Sequence, residues 1–438
     1  MSEHIFDQKW SAASLLRFAF PTIVMMVFMG LYTIVDTIFV ARFVSTDALS
    51  AINIVCPVIN LTVGLGTMIA AGGSAVVSRK MGAGLEQEAQ EDFTLLVLAA
   101  AGIGAAILIC GTLWLNLILL ALGASERLLP FCRDYLGLLL LFLPANVIQT
   151  VYANLFVTAG KPGLGFGLSV LAGLANILLD YVFIVLGGME IRGAALGTGL
   201  GYLIPTAAGT VFFFRNRGAL FFVKPRWRGA LLTESCLNGS SEMVGQLAAA
   251  LTTFLFNLTM MERLGEDGVA AVTIMIYSQF LLNTLFIGFS MGVAPVIGFH
   301  YGSGNRKQQR KILSICIRFL AAASLLIFAL SISGGSLVVR MFTPDASRVY
   351  EIAAAGFPVF SVSFLFCGFN IFISALFTAL SNGKVSAVLS FLRTFGLLCG
   401  GILLLPRLFG ITGVWMAVPM AEGIMFFVSL GCLIYYRE

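Results

Sequence analysis

Residues 17–42 read RFAFPTIVMMVFMGLYTIVDTIFVAR. Between the two arginines the only ionisable side chain is Asp36. A bilayer core of roughly 30 Å takes about 20 residues of helix at 1.5 Å rise, so the segment reads as a membrane-spanning helix. A carboxylate at that depth costs a few kcal/mol or more, which is why such acids usually face a polar cavity and serve a function. Pro21 stands about four turns earlier. Its ring removes one backbone donor and crowds the preceding turn, giving the helix a place to bend. The segment is therefore a bendable helix that carries a titratable group, with Pro21 as its hinge.

The rest of the chain repeats the pattern. Of 438 residues, 59% are hydrophobic and 11% are charged, against about 25% charged in soluble domains. Apolar runs at 16–41, 49–77, 93–121, 130–158, 164–187, 194–214, 236–262, 269–298, 313–341, 351–380, 385–405 and 412–436 predict twelve spans. The expected fold class is an all-α polytopic membrane protein. Span 1 is too long for the core of a signal peptide and is read as retained.

Basic residues set the orientation. With both termini cytoplasmic, sixteen Lys and Arg fall on inner joints, Arg217 and Arg437 among them, and eight on outer joints, as the positive-inside rule requires. These loops account for the net charge of +5, leaving no case for nucleic acid binding. The eight cysteines lie in or beside apolar spans without close pairing, and His4 and His300 are the only histidines. Neither disulfides nor a metal site beyond a possible Na⁺ is expected.

The longest polar joint, Arg215 to Glu234, divides the spans six and six. Shifting the second half back by 220 positions lays DGVAAVTIM at 267–275 on DALSAINIV at 47–55, YGSG at 301–304 on MGAG at 81–84, and TGVWM at 412–416 on RGAAL at 192–196. Six spans is an even number, so both copies start on the same side. Two lobes, 1–218 and 219–438, the second preceded by a cytoplasmic linker, are expected to be related by a pseudo-two-fold axis along the membrane normal. Transporters built this way hold substrate and ions near the midplane and work by alternating access. Gly193, Gly197 and Gly201 recur every four residues on one face of span 6, where they let a neighbouring backbone approach.

Four acids lie clearly within spans, away from their ends: Asp36, Asp180, Glu242 and Glu422. Asn176 is one turn before Asp180 on the same face of span 5. Two carboxyl groups with amide and hydroxyl oxygens nearby suit a proton or a hard cation such as Na⁺. At the 220 offset Asp36 falls on Phe256 and Asp180 on Gly400, so ion coupling is assigned to the first half. Glu242 and Glu422 form a possible secondary cation or substrate site. Glu242 stands near a helix start that would favour its charge without further purpose, and Glu422 has no evident partner. Arg318 and Arg393 are read as snorkelling structural residues.

Enzyme motifs fail. GFSMG at 288–292 fits G-x-S-x-G but lies inside an apolar helix with no histidine placed to activate Ser290. No Walker A loop surrounds Lys161 or Lys384, so ATP is not the driver.

Taken in order, P-x14-D in span 1, MGAG after span 2, NLFVTAGK at 154–161, N-x3-D in span 5, GTG in span 6 and YGSGN after span 8 resemble the multidrug and toxic compound extrusion (MATE) transporters. The resemblance covers nearly the whole chain. It implies a cation site at Asp36, Asn176, Asp180 and Thr198 with Asn154 close by, and antiport of Na⁺ or H⁺ against lipophilic cations as span 1 bends. It also implies that a complete C-lobe cation site is missing, because 356–380 contains no acid to partner Glu242.

The expected protein is a multi-pass plasma (inner) membrane antiporter, acting as a monomer in the lipid bilayer. It exports small amphipathic or cationic molecules, needs no cofactor besides the coupling ion, and is not an enzyme. The alternatives are a flippase for lipid-linked saccharides, which would need several cavity-facing Arg or Lys, and a passive channel.

Overall fold

The computed structural model describes residues 5–216, 218–344 and 347–436; His4, Arg217 and Arg437 lie outside them. The described chain is helical with no strand. In the first half, span 1 is Ala12–Phe43, span 2 Thr46–Gly82, and span 3 Glu86–Leu113 with the short Leu115–Ala121 after it. Span 4 is a bent pair, Leu129–Leu140 and Leu143–Thr158. Span 5 is Pro162–Asp180 continued by a π-helical turn, Tyr181–Leu186, and span 6 is Glu190–Arg215.

In the second half, Gly229–Gly302 holds spans 7 and 8, which part at Gly265, where φ is 65° and ψ −151°. Span 9 is Arg306–Phe342, and span 10 is the bent pair Arg348–Ser361 and Phe364–Ala379. Span 11 runs through Gly383–Phe391 and the π turn Leu392–Cys399 into Gly400–Tyr435, and Gly410, with φ 60°, separates it from span 12. Eight helices are long and apolar enough to cross a membrane, the bent pairs add two, and the two glycine breaks each divide one of the eight. The twelve expected spans are all present, with helix ends running past the apolar windows into their charged joints.

The 220 offset is visible in the backbone. Spans 4 and 10 each bend by 54°, at residues 141–142 and 362–363. Gly84 and Gly304 take φ of 77° and 68°, because each closes a helix C-terminus in the left-handed conformation that glycine adopts without a Cβ penalty. Thus MGAG and YGSG are one capping device used twice. Ser45, which caps span 2, aligns with the break at Gly265.

Pro21 sits in the interior of span 1, and the helix is unbroken from Ala12 to Phe43 in this conformation. The segment between the halves rides on the first lobe. Gln90 donates to the Ala219 carbonyl, the Val223 amide donates to Thr94 Oγ1 at 3.2 Å, and Arg228 pairs with Glu88 and Glu91 at 2.7 and 2.9 Å.

The lobes meet on the side of the chain termini. A Cβ on Gly72 would overlap the Ser235 carbonyl and stand 2.7 Å from the Gly239 amide, and one on Gly239 would overlap the Met68 carbonyl. Further along, Gly82 lies on Phe299 and Gly302 on Arg79. Such backbone proximity is what small residues allow between membrane helices. Arg79 and Glu234 add an ion pair across the seam at 2.8 Å. Fully buried Phe6 and Trp10 cover it, the Phe6 ring lying 5.7 Å from both Phe18 and Phe299.

Candidate ion-coupling site

Span 5 positions the first lobe's acid. Asp180 and Asn176 are each 1% exposed, pressed against the glycine stripe of span 6. Gly201 faces Asn176, with 3.4 Å between an added Cβ and that of Asn176. A Cβ on Gly197 would overlap Asp180 Oδ1 and lie 3.0 Å from its Cγ, while Gly193 receives Phe183 and Ile184. Each glycine therefore serves as the expected close-approach surface. The third partner, span 1, approaches through Gly173 of span 5, whose added Cβ would stand 2.8 Å from the Phe28 ring and 3.6 Å from that of Tyr32. One turn beyond Tyr32 is half-buried Asp36, whose carboxyl group lies beside that of Asp180.

The donors are outnumbered. The Asn176 amide nitrogen donates to Thr198 Oγ1 at 3.4 Å, but Asn176 Oδ1 and Asp180 Oδ1 are buried without a hydrogen-bond partner. Two orphaned acceptors beside a second carboxyl group make an oxygen-rich nest that a proton or a hard cation satisfies. Spans 1, 5 and 6 thus bring Asp36, Asn176, Asp180 and Thr198 together.

Asn154 stands apart from that group. Its amide donates to the Thr150 carbonyl on its own helix, and Gly165 of span 5 packs on its neighbours Ala153 and Phe156. Asp180 is fifteen residues beyond Gly165, about 22 Å along the helix. Span 4 contributes other residues instead. Asn146 is 3% exposed and lies beside Tyr202, and Tyr135 and Tyr202 are near Asp36. The sequence offered a weak signal for these, since Asn146, Thr150 and Asn154 share a helical face and Tyr202 follows Thr198 by one turn.

In the second lobe Glu422 is fully engaged. Arg393 donates to its Oε1 through Nε at 2.9 Å and Nη2 at 2.6 Å, and Asn370 Nδ2 donates to its Oε2 at 2.7 Å. Arg393 does not snorkel to water, because a buried carboxylate one helix away is the better partner for its fork. Opposite lone charges in adjacent spans 11 and 12 were the sequence signal for this pair. Glu242 is half-buried and makes no hydrogen bond or ion pair among the described residues. Ser241 beside it touches Thr378, two turns from Asn370 on span 10, so roughly 12 Å of helix separates Glu242 from the Glu422 cluster.

Two six-span lobes, sealed together on one face and holding, among the described residues, an acid pair within the spans of one lobe only, define a polytopic membrane protein of the transporter class. The MatE family profile matches residues 21–182 and again 243–399, once in each lobe. The chain belongs to the MatE family, whose members are transporters and not enzymes. Among its relatives is the multidrug export protein MepA of Staphylococcus aureus, 21% identical over 432 residues that cover 96% of this chain and 93% of MepA. Two solved structures share the fold at 20% identity. A MATE transporter in complex with MaL6 superposes with a TM-score of 0.93 over 99% of this chain and 98% of its own. The outward-facing conformation of a multidrug resistance MATE transporter gives 0.90 over 96% and 94%.

Proposed function

We propose that this protein is a cation-coupled antiporter that exports amphipathic, mostly cationic compounds from the cytoplasm, exchanging them for Na⁺ or H⁺ at the Asp36–Asp180 site. The observation that carries this reading is the pair of orphaned acceptors, Asn176 Oδ1 and Asp180 Oδ1, buried against a second carboxyl group. That arrangement is costly in a membrane interior unless a proton or cation visits it. The name of MepA and the shared fold support export of drug-like molecules.

With the termini cytoplasmic, the glycine seam closes the inner face, so this conformation is shut to the cytoplasm. In the exchange, a proton or Na⁺ from outside enters the nest, satisfies the orphaned oxygens and neutralises the acid pair. Span 1 carries Asp36 and is held to span 5 at Gly173, so occupancy of the nest is felt where the two helices touch. The seam between Gly72 and Gly239 then opens, substrate enters from inside, and release of the ion to the cytoplasm favours the return. Pairing of Arg393 with Glu422 weighs against the flippase alternative, since it consumes one of the two arginines that could have held pyrophosphate.

Gradient-driven efflux of a cationic dye from proteoliposomes tests the proposal, with Na⁺ and pH gradients imposed separately. Asp36→Asn and Asp180→Asn should each abolish the response to the effective gradient while dye binding persists. Full gradient-driven efflux by both variants would overturn it.

A further inference from the structure

The 220 offset that relates the lobes lays Glu422 on Tyr202, Asn370 on Thr150 and Arg393 on Gly173. The Arg393–Glu422–Asn370 cluster therefore sits among the fourth, fifth and sixth helices of its lobe, and shares the fifth and sixth with the aspartate nest, which takes its second acid from the first helix instead. Each cluster adjoins a π turn in the fifth helix, Tyr181–Leu186 beside Asp180 and Leu392–Cys399 containing Arg393. Such turns are often found at functional sites. The aromatic residues that span 1 lays on Gly173 are Phe28 and Tyr32, and their repeat counterparts on span 7 are Ala248 and Thr252. Small residues thus stand where the second lobe has exchanged a glycine for an arginine.

The two clusters differ in charge balance. The first lobe holds two carboxyl groups and no basic side chain. The second holds one carboxylate with a guanidinium forked onto it and an amide on its other oxygen. We propose that Arg393 is a tethered cation that balances Glu422 in the second lobe as a mobile coupling ion balances the acid pair in the first, so that each turnover is coupled through the first lobe alone. This rests on the exchange reading of Asp36 and Asp180 given above.

The pocket is equipped to show it. Beside the guanidinium is a cavity of about 10 Å³ lined by Asn370, Ser374, Ser390 and Arg393 among others, room for one water. Asn370 Oδ1 is buried there without a partner. Truncating Arg393 leaves Glu422, the Asn370 carbonyl oxygen and two serine hydroxyls around the vacated volume, an oxygen set suited to a small hard monovalent cation. The other titratable group near Glu422 is the Cys367 thiol. The latent site takes Na⁺ or a proton, and its ligands do not decide between them.

The test counts cations bound per full-length chain in nanodiscs, by ²²Na⁺ binding and by proton uptake read with an indicator dye. Arg393→Ala should bind one cation more than wild type, and Arg393→Ala combined with Glu422→Gln should return to the wild-type count. The sum of the two readouts is what matters, and whichever of them rises identifies the ion. An unchanged sum in folded Arg393→Ala overturns the proposal. Should that variant fail to fold, the neutral hydrogen-bonding pair Arg393→Gln/Glu422→Gln decides the matter: it must keep the wild-type count, and a lower count shows that Glu422 binds a coupling ion in the wild type. Asp36→Asn separates the two readings. If it retains the wild-type count, the exchange site is wrong; if it lowers the count while Arg393→Ala adds none, only the tethered cation fails.

Discussion

Replacing Gly197 by alanine tests how closely the proposed ion site depends on bare backbone. The new Cβ would overlap Asp180 Oδ1 and sit 3.0 Å from its Cγ and 3.3 Å from its amide nitrogen. Ordinary carbon–carbon contact lies at about 3.5–4.0 Å, so the Asp180 Cγ must retreat by roughly 0.5–1 Å, and the overlapping Oδ1 by more than about 1 Å, away from span 6. Crowding of this kind in a packed interior costs about 1–3 kcal/mol. If that cost falls on the ion-bound state, affinity for the coupling ion drops by about 5- to 150-fold. The assay is dye efflux as a function of Na⁺ and of proton concentration, in proteoliposomes of matched protein content. The half-saturating ion concentration should rise at least fivefold, while efflux at saturating ion is less affected. Gly201→Ala is the control, because its Cβ meets Asn176 at an ordinary 3.4 Å, and it should stay within twofold of wild type. An unchanged ion dependence in Gly197→Ala would refute the placement of Asp180 in the ion site.

Three further outcomes follow from the contacts described. Glu422→Gln alone leaves the Arg393 guanidinium without its counter-charge, a loss of about 3–5 kcal/mol for a buried pair; thermal stability in detergent should fall markedly and recover when Arg393→Gln is added. Arg79→Ala removes a partly exposed ion pair across the seam, worth at most about 1 kcal/mol. In a cysteine-free background, a cysteine placed at buried Ser78 should then react up to about fivefold faster, and a larger change would mean that the pair does more than hold the seam. Gly239→Ala puts a methyl group into the Met68 carbonyl and should raise the same reactivity further, whereas Gly245→Ala, which opens onto free space, should leave it unchanged.

The architecture was legible because a bilayer permits few solutions. Runs of about 20 apolar residues announce spans, and a repeat of capping glycines such as Gly84 and Gly304 survives where side chains have diverged. The acid pair was legible for the same reason, since Asp36 and Asp180 interrupt runs that otherwise hold no charge. What stayed hidden depended on register across helices. Asn146 rather than Asn154 lies on the Tyr202 side of span 4, and which of the two comes nearer to Asp180 depends on the depth at which span 4 packs against spans 5 and 6, which their shared helical face does not encode. The Arg393–Glu422 pair lay in plain view as two lone charges, but each residue by itself is accounted for by snorkelling or by a bond to a neighbouring helix. Only the packing of span 11 against span 12 joins them. Likewise, the linker's attachment to the first lobe through Arg228 is a matter of tertiary ion pairs.

The central claim is that ion and substrate share one cycle through the Asp36–Asp180 pair. Coupling is reciprocal, so the most direct measurement runs the cycle backwards, with a cationic dye gradient imposed across proteoliposomes that have no ion gradient, and Na⁺ and proton fluxes recorded together. Wild type should move one of the two ions against the dye, and Asp180→Asn should let dye pass without any ion movement or not at all. Ion flux that persists unchanged in Asp180→Asn, or dye movement by wild type with no ion moving in return, would contradict the account.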